Sequence, residues 1–210
     1  SDGTEKWRHE EGNISTTPPA LSNDESQVYV GFSIDIKSFN ASTGQVLWTR
    51  NVPLFPFLIA VDPTDRVLAQ TLNGPITAFS KSGAQIWQTG NVSAFSLYLQ
   101  DRLLTTNASS FAIRNASDGS SVSGGFWPSS FQLPGNAFPI VDKDGLFYLP
   151  LAIFGNPTQI RFFAFDFSGN QRWTFDVPST LNLAAIGGSA LDSDGSLYLV
   201  AQKLLLKLGQ

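Results

Sequence analysis

The sequence has no cysteine among its 210 residues, so it can hold neither a disulfide framework nor a thiolate metal site. It has no methionine either, not even at position 1, which sets the expectation of a removed leader or of a segment of a longer chain. Its single histidine, His9, excludes a histidine triad, a multi-histidine metal site and a His–His acid–base pair. Charge is scarce as well: Asp, Glu, Lys and Arg make up 14% of the chain, against roughly a quarter in ordinary soluble domains. The polar surface must therefore be built from Ser, Thr, Asn and Gln. A net charge of −4 without a basic cluster speaks against nucleic acid or an anionic membrane as partner. No run is long and apolar enough to span a bilayer. Low charge, many hydroxyl residues and the missing initiator together set the expectation of a secreted chain, extracellular or periplasmic.

What the sequence does have is a repeated phrase. In Ser38-Phe39-Asn40-Ala41-Ser42-Thr43-Gly44-Gln45-Val46-Leu47-Trp48 an apolar residue ends a strand, a small polar turn closes on a glycine, and a Trp follows four positions later. The phrase returns at Ala78 to Trp87 and at Ala164 to Trp173. A worn copy, Ile113 to Gly119, keeps the turn but has Ser123 where the Trp should stand. Gly3-Thr4-Glu5-Lys6-Trp7 is its second half alone. The turn glycines 3, 44, 83, 119 and 169 are separated by 41, 39, 36 and 50 residues, a repeat architecture with a period near forty.

Within each period, short apolar or alternating runs are separated by turn residues, as in Pro19-Ala20-Leu21, Val28 to Gly31, Ile34 to Phe39 and Gln45 to Thr49. This pattern predicts a four-stranded antiparallel meander, and no window carries uninterrupted helical spacing. The repeats fall at residues 19–50, 55–90, 92–125 and 137–177, with a fifth made of 186–210 plus 1–8. The last strand of the third repeat is poorly marked, and Gly124-Gly125-Phe126-Trp127-Pro128 reads as an irregular connection. Joined end to end, Lys207 to Trp7 reproduces the phrase in register with Ser38 to Trp48. The expected fold is all-β: a single β-propeller domain over 1–210, of about five four-stranded blades, whose amino-terminal strand completes the last blade. Closure of that kind hides sheet edges.

These residues resemble the quinoprotein-like (PQQ-like) β-propeller repeats, among them those of an outer-membrane assembly scaffold. The blade pattern of that family is matched nearly throughout repeat one, by Pro19-Ala20-Leu21, Val28-Tyr29-Val30-Gly31, Phe39-Asn40-Ala41-Ser42-Thr43-Gly44 and Trp48. The resemblance implies that Trp7, Trp48, Trp87 and Trp173 dock between neighbouring blades, a packing role. It also implies a non-catalytic member. The family's quinone-dependent dehydrogenases need a calcium–carboxylate site and a large funnel, often with a vicinal cysteine pair. Family members usually carry seven or eight blades, more than are counted here.

No catalytic, cofactor or metal residues are expected. His9 reads as a surface or interface residue. Asp142-Lys143-Asp144-Gly145 and Asp192-Ser193-Asp194-Gly195 resemble the start of a calcium loop, but strand follows each where further ligands should stand, so both read as tight hairpins. Five Asn-x-Ser sequons, at Asn13, Asn40, Asn91, Asn107 and Asn115, are candidate N-glycosylation sites; Asn40 and Asn115 share one repeat position, where turn chemistry is the rival reading. Phe126, Trp127 and Phe131, with Phe55 and Phe57 flanking Pro56, are candidates for a loop that stacks on sugar or docks a partner. The leading function is thus a secreted, non-enzymatic scaffold for a protein partner, or for itself in head-to-tail polymers. The rivals are a carbohydrate-binding module and a degenerate quinone-dependent oxidoreductase.

Overall fold

A computed structural model describes residues 3–12, 14–98, 101–134, 138–153, 159–177, 186–201 and 204–209. Asn13 lies outside them. The chain runs through five antiparallel sheets, each a meander in sequence order. The first holds β1 (Ala20–Leu21), β2 (Gln27–Phe32), β3 (Asp35–Asn40) and β4 (Val46–Asn51). The second holds β5 (Pro56–Val61), β6 (Val67–Thr71), β7 (Pro75–Phe79) and β8 (Gln85–Asn91). Next come β9 (Ala94–Tyr98), β10 (Arg102–Thr106), β11 (Ser110–Asn115) and β12 (Ser121–Phe126). The fourth sheet holds β13 (Ile140–Val141), β14 (Leu146–Ile153), β15 (Gln159–Asp166) and β16 (Gln171–Asp176). The fifth is described with β17 (Ile186–Leu191), β18 (Leu197–Ala201) and β19 (Leu204–Leu208). By their contacts the residues divide into two compact units, 1–92 with 116–119, and 93–115 with 120–210.

Two expectations are corrected. Gly124, Gly125 and Phe126 belong to β12 and not to an irregular connection. The glycines have a steric reason: a Cβ on Gly124 would come 2.7 Å from the Phe111 carbonyl oxygen, and one on Gly125 would come 2.9 Å from the Phe111 ring. Close approach, not strand propensity, chose them. The expected amino-terminal fourth strand of the last sheet is not found among the described residues: residues 3–10 form no strand. The segment's apolar anchor, Trp7, is instead held by the first sheet's turn.

Burial follows strand position. The inner strands read as continuous apolar runs because both their faces are covered; every residue of β6 is buried, as are Phe147 to Ala152 of β14. The fourth strands alternate, and β4 and β8 bury only the Trp of the phrase among their first four residues. Tyr29 lies fully buried beside Trp48, with ring centroids 5.8 Å apart. Burial, and then the nearby carboxylates of Asp65 and Asp24, pushes its phenol up to about 12, so it remains neutral.

Each pairing of third with fourth strand shifts register at the same place, between Ser38 and Phe39, Ala78 and Phe79, Ile113 and Arg114, and Ala164 and Phe165. The residue left unpaired on the fourth strand is Leu47, Ile86, Val122 or Arg172, immediately before the Trp position. A bulge of this kind re-aims the next side chain. The glycine turn supplies the rest of the device. Gly44, Gly83, Gly119 and Gly169 all have φ between 71° and 86°, the left-handed region that L side chains resist. At Asn40 and Asp166 the strand-ending side chain caps the turn, accepting bonds from backbone amides two and three or four residues on.

Candidate functional site

The repeated phrase builds a seat for an indole. The Trp48 ring lies flat on Gly83, where an added Cβ would approach Cδ2 to 2.7 Å, and its Nε1 donates to the Lys81 carbonyl at 2.9 Å. Trp87 lies on Gly119, where a Cβ would approach to 2.8 Å, and donates to the Ala116 carbonyl at 2.9 Å. Residues 116–119 belong to the first unit with Trp87. Trp7 lies on Gly44, again at 2.7 Å from a would-be Cβ, and donates to the Ala41 carbonyl at 2.8 Å. In all three the acceptor lies in the turn itself, two or three residues before the glycine. The glycine is therefore required twice, by its φ and by the ring above it. Arg50 closes the Trp48 seat, its Nε donating to the Gly83 carbonyl at 2.6 Å.

The worn copy solves the same problem with other atoms. Ser123, in the Trp position, donates through Oγ to the Phe167 carbonyl at 2.9 Å, the acceptor equivalent to Lys81 and Ala41. The face of Gly169 is taken by Phe111, whose Cζ would lie 3.1 Å from an added Cβ. Trp127 stacks on Phe111 with centroids 5.2 Å apart and donates to the Asn107 carbonyl at 3.1 Å. Hydrogen bond and aromatic cover are thus supplied by different residues.

Trp173 differs from the other seated indoles. Like the seated Trp7 it is half-buried, whereas Trp48 and Trp87 are each 8% exposed. It contacts Tyr148 at 5.6 Å between centroids and packs beside Leu206 and Leu208. None of the turn glycines 3, 44, 83, 119 and 169 lies under it, and among the described residues its Nε1 makes no hydrogen bond. It opens instead onto a groove of about 520 Å³ lined by Leu146, Phe175, Lys207, Leu208 and Gly209 among others.

The other candidates fall in varied settings. Of the loop aromatics, Phe126 is 82% exposed, Trp127 is core, and Phe131 packs edge-on to Phe163 beneath the Arg161 guanidinium. Phe55 and Phe57 are exposed, and residues distant in sequence lie beside Phe55. Ile34, at the β2–β3 tip, accepts the Val52 amide, and Leu72, at the β6–β7 tip, donates its amide to Phe55. These bonds place Ile34, Leu54, Phe55 and Leu72, all exposed, at one end of the first unit. Its other end is polar: Lys81 bridges Asp24 at 2.6 Å and Asp65 at 3.4 Å, and Asn23 binds the Asp62 carbonyl at 2.8 Å. The Lys81 ammonium, followed by the hydroxyls of Ser22 and Ser26, holds the Asp24 carboxyl well below its usual range.

His9 faces Glu11 at 2.6 Å and lies edge-on to Phe39. Glu11 also pairs with Lys37, and these two partners hold its carboxyl low. The Asp-x-Asp-Gly stretches are hairpins, with φ of 87° at both Gly145 and Gly195. Asp142 accepts the amides of Asp144 and Leu146 and, at 2.5 Å, the Tyr148 hydroxyl. Asn91 and Asn107 are exposed, while Asn40 and Asn115 are half-buried with their amide groups bonded into the turns. Among the described residues no group of three or more His, Asp or Glu side chains is placed to hold a metal ion.

No family model matches the sequence, and no curated protein is similar to it. Solved structures do share the fold. BamB from Moraxella catarrhalis superposes with a TM-score of 0.67 at 18% identity, over 96% of this chain and 66% of that one. The computationally designed Ika4 protein gives 0.55 at 12% identity, over 83% of this chain and 99% of the design. A protein of unknown function from Bacteroides caccae gives 0.55 at 13% identity, over 92% and 72%. The chain thus spans just under two thirds of the BamB chain it resembles. With its five antiparallel meanders and this likeness, the fold is a β-propeller.

Proposed function

We propose that the chain is a secreted or periplasmic, non-enzymatic propeller domain over 1–210 that works as a scaffold for protein partners, including copies of itself. The observation that carries this reading is how the side chains are spent. The Asp and Asn side chains of the repeats cap turns, the lone histidine sits in a surface ion cluster, and the tryptophans serve as packing knobs. Large apolar side chains stand exposed together at one end of the first unit: Ile34 at 48%, Leu54 at 45%, Phe55 at 52% and Leu72 at 50%. Contiguous exposed apolar surface of this kind marks interaction sites. The fold shared with BamB is compatible with a scaffold. No helix among the described residues is long and apolar enough to cross a membrane.

The test is a comparison of the wild type with a Phe55→Asp, Leu72→Asp double variant. Each is cross-linked in the extracellular fraction of its host and the captured proteins are compared. A partner held by the wild type and lost with the variant supports the reading. Identical capture, or inhibitor-sensitive turnover of a sugar or quinone substrate by the purified chain, contradicts it. A second reading, carbohydrate binding, is favoured by the 82% exposure of Phe126, since an open aromatic face can stack on a sugar ring. Glycan-array binding that is lost on Phe126→Ala would select it. Glycosylation is proposed at the exposed Asn91 and Asn107, and intact mass before and after glycosidase treatment decides it.

A further inference from the structure

The fourth strand of each four-stranded sheet has a free edge, and the sequence guards those edges unequally. β4 carries Arg50, and β16 carries Arg172 and Asp176, charges of the kind that keep an edge from pairing with another chain. β8 is uncharged, but past its bulged Ile86 the exposed positions are Gln88, Gly90 and Asn91, with no large apolar side chain. β12, Ser121-Val122-Ser123-Gly124-Gly125-Phe126, has neither protection. Its residues alternate: Val122 is 51% exposed, Phe126 is 82% exposed and Gly124 is exposed between them, while Ser123 and Gly125 are half-buried. Its backbone alternates in step. The Trp127 amide donates to the Ser109 carbonyl at 2.9 Å, Phe111 pairs with Gly125, and Ser110 pairs with Phe126. Hydrogen-bonded pairs alternate in an antiparallel ladder, so Gly125 and Trp127 direct their backbone groups to β11. The amides and carbonyls of Gly124 and Phe126 therefore point out of the sheet, and among the described residues they have no partner.

We propose that β12 pairs antiparallel with β12 of a second copy of this chain, about a two-fold axis through Gly125, joining two four-stranded sheets into one of eight. The proposal rests on the part of the scaffold reading that counts copies of the chain as partners, and it gives them a site and a register. In that register Gly124 of each copy faces Phe126 of the other. Both residues aim their backbone groups at the free edge, so the two pairs make four hydrogen bonds. On the face they share, each ring lies over a residue without a Cβ, the arrangement by which an aromatic side chain shields an edge glycine. The next pair outward is Val122 with Pro128. Val122 is the bulged residue and Pro128 has no N–H, so the ladder stops there. A slip of two residues either way sets Phe126 against the bulged Val122, or Gly124 against Pro128, and loses bonds. A second copy fits because the edge carries its own complement, glycine for ring, and because two chains of net charge −4 meet there without opposing charges. The contact is isologous, so it closes at a dimer and does not grow into a polymer. Six residues a side bury less than the roughly 1,200 Å² of stable interfaces, so the dimer is weak and exchanges readily.

The test uses the whole chain and two changes at one residue. Sedimentation velocity from micromolar to near-millimolar protein is expected to show wild-type mass rising to that of a dimer and no further. Phe126→Ala keeps the edge amide and loses two cross-strand ring contacts, so it weakens the dimer about tenfold. Phe126→Pro removes ring and edge donor without touching a bond to β11, a position where proline is tolerated, and leaves a monomer. Circular dichroism matching the wild type shows that both variants are folded. If Phe126→Pro is not, a spin label decides the register: Val122→Cys is the sole cysteine of its chain, and two labelled copies lie about 20 Å apart in the dimer, six residues along the paired strands. Wild type that is monomeric at every concentration overturns the proposal. So does a dimer that a folded Phe126→Pro retains, growth beyond a dimer, or a label distance far from that value. Each of these leaves the scaffold reading open to other partners, whereas substrate turnover by the purified chain sinks that reading without touching the association.

Discussion

Trp48 and Trp173 are the same residue of the same phrase, four positions after a turn glycine and just past the same bulge, yet they do different things. Trp48 is 8% exposed, lies on Gly83, and bonds the Lys81 carbonyl. Trp173 is half-buried, bonds nothing through Nε1 among the described residues, and walls a groove. The local sequence builds a knob in both places; the neighbouring turn decides whether it becomes core or surface. An internal repeat therefore predicts a side chain's geometry better than its role.

Removing the knobs is the strongest way to sharpen this contrast. Trp48→Ala should destabilise the first unit by about 3–5 kcal/mol, the usual cost of emptying a buried aromatic site. Trp173→Ala should cost less, about 1–3 kcal/mol, because part of its ring already faces the groove. Midpoints of urea unfolding give both numbers, provided the slope is unchanged. Removing the holes comes next. Gly83→Val should cost about 2–4 kcal/mol, from a left-handed φ and from a ring that cannot retreat. Gly3→Val should cost about 1–2 kcal/mol, from its left-handed φ alone.

The third repeat gives a finer comparison. Ser123→Ala should cost about 1 kcal/mol, one hydrogen bond to the Phe167 carbonyl. Restoring the repeat's own residue with Ser123→Trp should cost more, about 1–3 kcal/mol, because Phe111 already covers Gly169. A stabilised variant would mean that Phe111 is a poor substitute and not a settled alternative. The smallest effect belongs to the polar end. The folded Asp24 carboxyl is held below its ordinary value of 3.8 by Lys81, so its contribution is complete above that value and fades as pH falls through the folded one. Asp24→Asn should flatten the loss of thermal stability on acidification, and added salt should shrink the difference because the pair is open to solvent.

The ring and the glycine were each marked in the sequence because successive copies of one phrase supply them, and a period near forty repeats local chemistry faithfully. Turns were legible for the same reason: Asn40, Asp166 and the Asp-x-Asp-Gly stretches cap their own backbones, an interaction that spans a few residues. What escaped reading was supplied from a distance. Phe111 from β11 and Trp127 from the loop after β12 replace the missing Trp, and only the retention of Gly169 beside a Ser123 that has no ring hinted that something must cover it. β12 was hidden because Gly124 and Gly125 were selected for their fit against Phe111, which no propensity reports. The apolar end of the first unit was half visible, through Phe55 and Phe57. Ile34 and Leu72 join it only once the hairpin tips are placed.

The most direct measurement is fluorine NMR of the protein labelled with 5-fluorotryptophan, assigned by single substitution and recorded across a dilution series in light and heavy water. At the lowest concentration Trp173 should show a larger solvent isotope shift than Trp48, Trp87 and Trp127, whose indoles are buried. A Trp173 resonance as protected as that of Trp48 at the lowest concentration would contradict the account, because the seat would then be filled in the isolated chain.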